Sequence, residues 1–157
     1  TLNMAHRIIQ ASFPNTGSTL LVNILHGLLD PHTAVKYTSM HGAFRSGLLK
    51  EHLIIKTHNV KIDKWVERSS RMLKKEAYEL YFICTERGNK RISTNNHLRY
   101  NILLIPYEEL LETSSLPLED IITNIQQKVL SFLPDIHSSD IIKNKEIALR
   151  RVLDISL

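Results

Sequence analysis

The sequence predicts a three-layer α/β domain, a parallel sheet with flanking helices. Two observations lead there. Short apolar runs recur at 7–13, 34–38, 53–57, 80–85 and 101–105, the second weaker than the rest, and helical stripes lie between and after them. Most runs are apolar on both faces, as in strands covered from both sides. Strands that alternate with helices favour parallel pairing through right-handed crossovers.

Each element has its own signal. The run "RIIQASF" leads into a polar turn, "PNTGST", and then into 18–29, where apolar residues occupy nearly every face of a helix. The next helix is predicted over about 62–77, with Ile62, Trp65, Val66, Met72 and Leu73 on one stripe and Asp63 near its start. The segment 40–47, "MHGAFRSG", reads as a surface loop near the active edge, with His41 and Arg45 on it. Pro117 opens a helix over about 117–132, striped by Leu118, Ile121, Ile122, Ile125, Val129 and Phe132, and Pro134 follows its end. A last helix over about 138–153 carries Lys143, Lys145, Arg150 and Arg151, read as a solvated basic face.

The 157 residues suit one domain, 1–157. Hydrophobic residues make up 43% of the chain, enough for a real core. Cys84 is the single cysteine, which excludes an internal disulfide and any cysteine-based zinc site. The net charge of +4 fits an anionic ligand but falls short of a nucleic-acid signature. No apolar run reaches membrane-spanning length. The chain begins at Thr1 without an initiator methionine. The expected compartment is the cytoplasm for the chain as given, or the Golgi lumen if a leader has been removed.

In parallel α/β sheets ligands bind beyond the carboxyl ends of the strands. Those ends carry "PNTGST", "KTHN", "TERGN" and "PYEE", all polar and all bearing titratable or anion-seeking groups. In the first, Gly17 lets backbone approach a ligand, and Ser18 and Thr19 add hydroxyls at a helix N-terminus, where an anion is favoured. The turn lacks the GxxxxGKS or GxxxxGKT pattern of nucleotide triphosphatases and its lysine. In the second, Lys56 and His58 are two apart in extended chain and share a side. A histidine there can take a proton near neutral pH, and a lysine can stabilise charge on a transferred group. The remaining histidines show no metal-ligand spacing.

Together these segments resemble the sulfotransferases that use 3′-phosphoadenosine 5′-phosphosulfate (PAPS), with their P-loop-like fold. "SFPNTGSTLLVNIL" is similar to that family's 5′-phosphosulfate loop, and "IIKTHN" to its strand ending in KTH. "YFICTERGNKRIS" stands in the place of the 3′-phosphate strand, loop and helix, and "LLIPYEELLE" in that of a strand leading to "YEDL". The resemblance spans residues 7 to about 133. It implies that Asn15, Thr16, Gly17, Ser18 and Thr19 bind the 5′-phosphosulfate, with His58 as general base and Lys56 as charge stabiliser. It further implies that Arg87 and Ser93 hold the 3′-phosphate, that Tyr107 lies near the adenine, and that no metal is needed. The product would be 3′-phosphoadenosine 5′-phosphate (PAP), and the partner a hydroxyl-bearing acceptor.

Four departures stand out. Asn15 replaces a usual lysine or arginine. Arg87 and Ser93 are closer than in the family, which brings Lys90 and Arg91 forward as alternative phosphate partners. Only seven residues separate Ser93 from the strand near Asn101, so the site is expected to be open and suited to a large acceptor, a glycan or protein. The family's C-terminal Arg-Lys-Gly loop is missing. Two other readings stay open: a degenerate, non-catalytic nucleotide-binding relative, and a P-loop kinase-like enzyme.

Overall fold

The computed structural model describes residues 6–73 and 75–156. The elements run β1 (His6–Ala11), α1 (Ser18–Leu29), β2 (Lys36–Tyr37), α2 (Met40–Arg45), α3 (Leu48–Glu51), β3 (Ile54–Thr57) and α4 (Ile62–Ser70). They continue with β4 (Glu79–Glu86), β5 (Asn101–Pro106), a 3-10 turn (Tyr107–Leu110) and α5 (Leu118–Phe132), then a second 3-10 turn (Asp135–His137), α6 (Ser138–Lys143) and α7 (Lys145–Ser156). The five strands form one all-parallel sheet in the order β2-β3-β1-β4-β5. Helices cover both faces, as the strand–helix alternation predicts.

Side-chain alternation along β1 explains the layers. Ile8 faces the larger core, with Leu21, Ile24, Leu25, Ile83, Ile121, Ile125 and Ala148. Ile9 and Ala11 face the other core, with Ile55, Trp65, Phe82 and Cys84. Adjacent residues of a strand point to opposite sides, so β1 is covered on both faces, and its polar His6, Arg7 and Gln10 are buried along with Ile8, Ile9 and Ala11. The Cys84 thiol is fully buried, and burial pushes its pKa up to about 12. It is therefore a core residue and not a nucleophile.

Strand order places the site. The chain runs from β1 to β3 on one side of it, then crosses back to β4 on the other side. The carboxyl end of β1 is thus flanked by strands reached in opposite directions, the switch point where open α/β sheets form their crevice.

Several expected elements differ. The run 34–38 shortens to the two-residue edge strand β2, whose residues are exposed. Most of the segment 40–47 is helical, as α2: Ser39 caps it by accepting from the Gly42 N–H at 3.0 Å, and Met40, Ala43 and Phe44 pack into the second core. The helix expected over 62–77 ends at Ser70; Leu73 is 64% exposed, and residue 74 lies outside the described residues. The helix expected over 138–153 is split, because Asn144 donates its side-chain N–H to the Leu28 carbonyl at 3.1 Å, at the end of α1. Strand β5 is half-buried along most of its length, as an edge strand must be. Among the described residues, no helix is long and apolar enough to cross a membrane.

Candidate functional site

Three turns meet at the carboxyl edge of β1. The first is the β1–α1 turn. Asn15 has φ 63° and Gly17 φ 83°, so the chain turns sharply before entering α1. A Cβ on Gly17 would lie 2.9 Å from Leu110 Cδ1 and 3.3 Å from Tyr107 Cδ2. The turn is thus packed against the Tyr107–Leu110 segment, and the left-handed φ of Gly17 favours glycine there. No side chain caps the N-terminus of α1, so its first N–H groups stay available to an anion.

The hydroxyls of this turn divide their work. Thr16 is buried; its Oγ1 donates to the Phe13 carbonyl at 2.7 Å and lies 2.6 Å from Thr85 Oγ1. That hydroxyl locks the turn to β4, so a ligand would meet Thr16 through backbone. Ser18 is buried at the helix start, and Thr19 is exposed. The Lys56 ammonium donates to Thr19 Oγ1 at 3.2 Å.

The second turn follows β3. Lys56 is half-buried, and burial lowers its pKa below the ordinary lysine value. His58 Nδ1 lies 2.8 Å from the Ser12 carbonyl oxygen. A carbonyl only accepts, so Nδ1 carries the proton and Nε2 the free lone pair. The strand end is itself held. Asn59 N–H donates to Thr57 Oγ1 at 3.0 Å, and Trp65 Nε1 donates to the Asn59 carbonyl at 3.0 Å. The Tyr37 ring stands edge-on to the His58 ring at 5.3 Å. Tyr37, Thr38, Ser39, His58, Asn59 and Lys61 help to line an open cleft of about 470 Å³ beside this histidine.

The third turn follows β4. Arg87 and Lys90 pair backbone groups across it, and Gly88 sits at φ 58°. Arg87 donates to the Asn15 carbonyl at 3.1 Å, and its guanidinium lies 4.0 Å over the Tyr107 ring. Lys90 donates to the Pro14 carbonyl at 2.9 Å. The chain then runs without a helix to β5, so the strand–loop–helix expected here keeps only its strand and loop. Ser93 is exposed in that segment, which Asp63 anchors by accepting from Thr94 Oγ1 at 2.9 Å and Asn96 Nδ2 at 3.1 Å.

The predicted residues Asn15, Thr16, Gly17, Ser18, Thr19, Lys56, His58, Arg87 and Tyr107 therefore converge on one edge through these contacts. Among the described residues, no hydrogen bond or ion pair brings Ser93 to them. The basic residues near 143–151 are elsewhere: Ala148 packs on Gly27 and Asn144 on Leu28, at the far end of α1 from the turn. Glu109 is occupied by Lys128 at 2.5 Å.

Sequence reasoning missed Ser12. Its Oγ accepts from Thr85 N–H at 3.0 Å and from Gln10 Nε2 at 2.6 Å, its N–H donates to the Thr57 carbonyl at 3.1 Å, and its carbonyl holds His58. Its only sequence signal is a polar residue ending an apolar strand. Among the described ion pairs, none involves Lys56, Arg87 or Lys90. Among the described residues, no three His, Cys, Asp or Glu side chains gather as a metal site would require. No protein-family model, curated protein or solved structure matches the chain.

Proposed function

We propose that this protein is a PAPS-dependent sulfotransferase acting on a hydroxyl acceptor. The carrying observation is the fixed tautomer of His58: Ser12 holds Nδ1, which leaves Nε2 as a base in a residue that lines the cleft. The donor set fits an anionic nucleotide. An uncapped helix N-terminus adjoins Lys56, Arg87 and Lys90, three cations that no described carboxylate neutralises.

PAPS supplies the activated sulfuryl group when bound. The protein's part is proton removal, orientation and charge. His58 Nε2 takes the proton of the acceptor hydroxyl as its oxygen attacks. Lys56, held at Thr19, would supply a positive charge for the anionic 5′ end of the bound cofactor. The turn N–H groups at Gly17, Ser18 and Thr19 orient the 5′ end. Arg87 and Ser93 remain the residues assigned to the 3′-phosphate, and Tyr107 the residue assigned to the adenine side. The open cleft suits a large acceptor, a glycan or protein.

The test is PAP release from PAPS across a panel of hydroxyl acceptors, beside thermal stabilisation by PAP, AMP and magnesium ATP. A ligand that binds only the folded state raises the melting temperature with occupancy. Selective stabilisation by PAP with acceptor-dependent release supports the proposal. PAP binding without transfer supports the non-catalytic reading, which the uncharged Asn15 favours. Stabilisation by magnesium ATP alone would replace both with a kinase-like reading.

A further inference from the structure

The β1–α1 turn leaves its helix N-terminus without a side-chain cap and presents two of its carbonyls to the loop after β4. Those two carbonyls are the ones that Lys90 and Arg87 grip, at Pro14 and Asn15. Position 15 itself offers no charge; it is an exposed asparagine at φ 63°. The positive charge at this turn is therefore delivered from outside it, by Lys56 at the end of β3 on Thr19 and by Lys90 and Arg87 in the loop after β4 on Pro14 and Asn15.

The two cations are not equivalent. Arg87 is held twice, by the Asn15 carbonyl and by the Tyr107 ring. A planar guanidinium fixed on two sides orients its surroundings. Lys90 is held by one neutral carbonyl at 2.9 Å and belongs to none of the described ion pairs. An ammonium has three protons on a flexible stem, so two remain for a ligand. The tight turn Arg87–Lys90 fixes the root of that stem, with backbone bonds of 3.3 and 2.9 Å across it.

We infer that Lys90 is the cation of the 5′-phosphosulfate site, supplying from the β4 turn the charge that Asn15 lacks, while Arg87 keeps the 3′-phosphate role proposed above. This rests on the cofactor reading proposed above. It moves Lys90 away from the 3′-phosphate, the role its place in the sequence offers.

Three adenosine phosphates separate the roles. AMP carries the 5′-phosphate alone, 3′-AMP the 3′-phosphate alone, and PAP both. Affinities are measured by titration calorimetry for the wild type, Lys90→Met, Lys90→Ala and Lys90→Arg. Lys90→Met keeps the aliphatic stem, and unliganded melting curves check that each variant folds. The expected result is a loss of roughly tenfold or more for AMP and for PAP in the two uncharged variants, by the same factor, as for one charge-assisted hydrogen bond. Binding of 3′-AMP is unchanged, and Lys90→Arg recovers most of the loss. A loss confined to PAP and 3′-AMP overturns the inference and returns Lys90 to the 3′-phosphate. Unchanged binding of all three overturns it too, leaving the Pro14 contact purely structural. A wild type that binds none of the probes overturns the cofactor reading itself, and this inference with it.

Discussion

The Nδ1 atom of His58 stands 2.8 Å from the carbonyl oxygen of Ser12, the residue that follows β1. The contact spans two adjacent parallel strands and fixes which ring nitrogen is basic. Backbone makes it, so no side-chain substitution at Ser12 removes it directly. The candidate base is oriented by the sheet itself.

His58→Ala should therefore remove the base and leave the nucleotide site standing. Turnover is expected to fall by about 10²- to 10⁴-fold, the usual worth of a positioned general base. PAP affinity should change little, because no described contact ties His58 to the β1–α1 turn amides or to Arg87. Initial rates of PAP release and a PAP titration check both halves. Turnover at the original rate would remove His58 from the chemistry.

Ser12→Ala tests the hub beneath it. The hydroxyl is fully buried and accepts from Thr85 N–H and Gln10 Nε2. Its loss strands a buried backbone donor, which costs about 1–3 kcal/mol. Urea unfolding should show that loss without a change in slope. A midpoint identical to the wild type would mean that Thr85 finds another acceptor.

Much of this arrangement was legible beforehand, and the limits have physical causes. Helix α1 begins and ends where its apolar run does, because glycine precedes it and apolar residues occupy nearly every face of its body. The polar strand ends marked the candidate site, because ligands of parallel α/β sheets bind beyond the carboxyl ends of the strands. What could not be read depends on partners far away in sequence. Asn144 breaks a helix to reach Leu28, 116 residues earlier. Met72 and Leu73 continue the stripe of α4, yet the chain turns away and leaves Leu73 exposed. Lys90 looked like one basic residue among several until its contact with Pro14 set it apart. Ser12 carried no chemistry-bearing signal at all.

Gly27→Ala tests the packing of α7 on α1. A Cβ at Gly27 would lie 2.5 Å from Ala148 Cα and 2.9 Å from its Cβ. Helix backbones approach this closely only over glycine, and neither contact is the free end of a side chain. The added methyl must push α7 outward, at a cost of about 1–3 kcal/mol. Chemical denaturation measures it. Because the contact lies at the end of α1 away from the turn, PAP affinity of the folded variant should match the wild type. A stable variant with weakened PAP binding would show that the two ends of α1 are coupled.

The last prediction concerns acid stability. His6 Nε2 and His137 Nε2 are 2.6 Å apart and both side chains are buried, joining the start of β1 to the segment before α6. One ring must donate and the other accept, so protonating the acceptor sets two N–H groups against each other. Burial, then the neighbouring His6, lowers the pKa of His137 to about 4; burial, then Arg7, lowers that of His6. Glu79 pulls His6 and Asp140 pulls His137 in the opposite direction, and both are outweighed. The unfolded chain binds these protons near the ordinary histidine value of 6.5, and the native state holds out to lower pH. Between those values the unfolded state carries more protons, so stability is full above about pH 6.5 and falls as the pH drops toward 4. Melting temperatures recorded across that window should decline steadily. His137→Gln keeps a hydrogen-bonding group without a titrating one, so its decline should be clearly shallower. Equal declines in the two proteins would assign the acid sensitivity to groups other than His137, such as the buried His26 or the carboxylates.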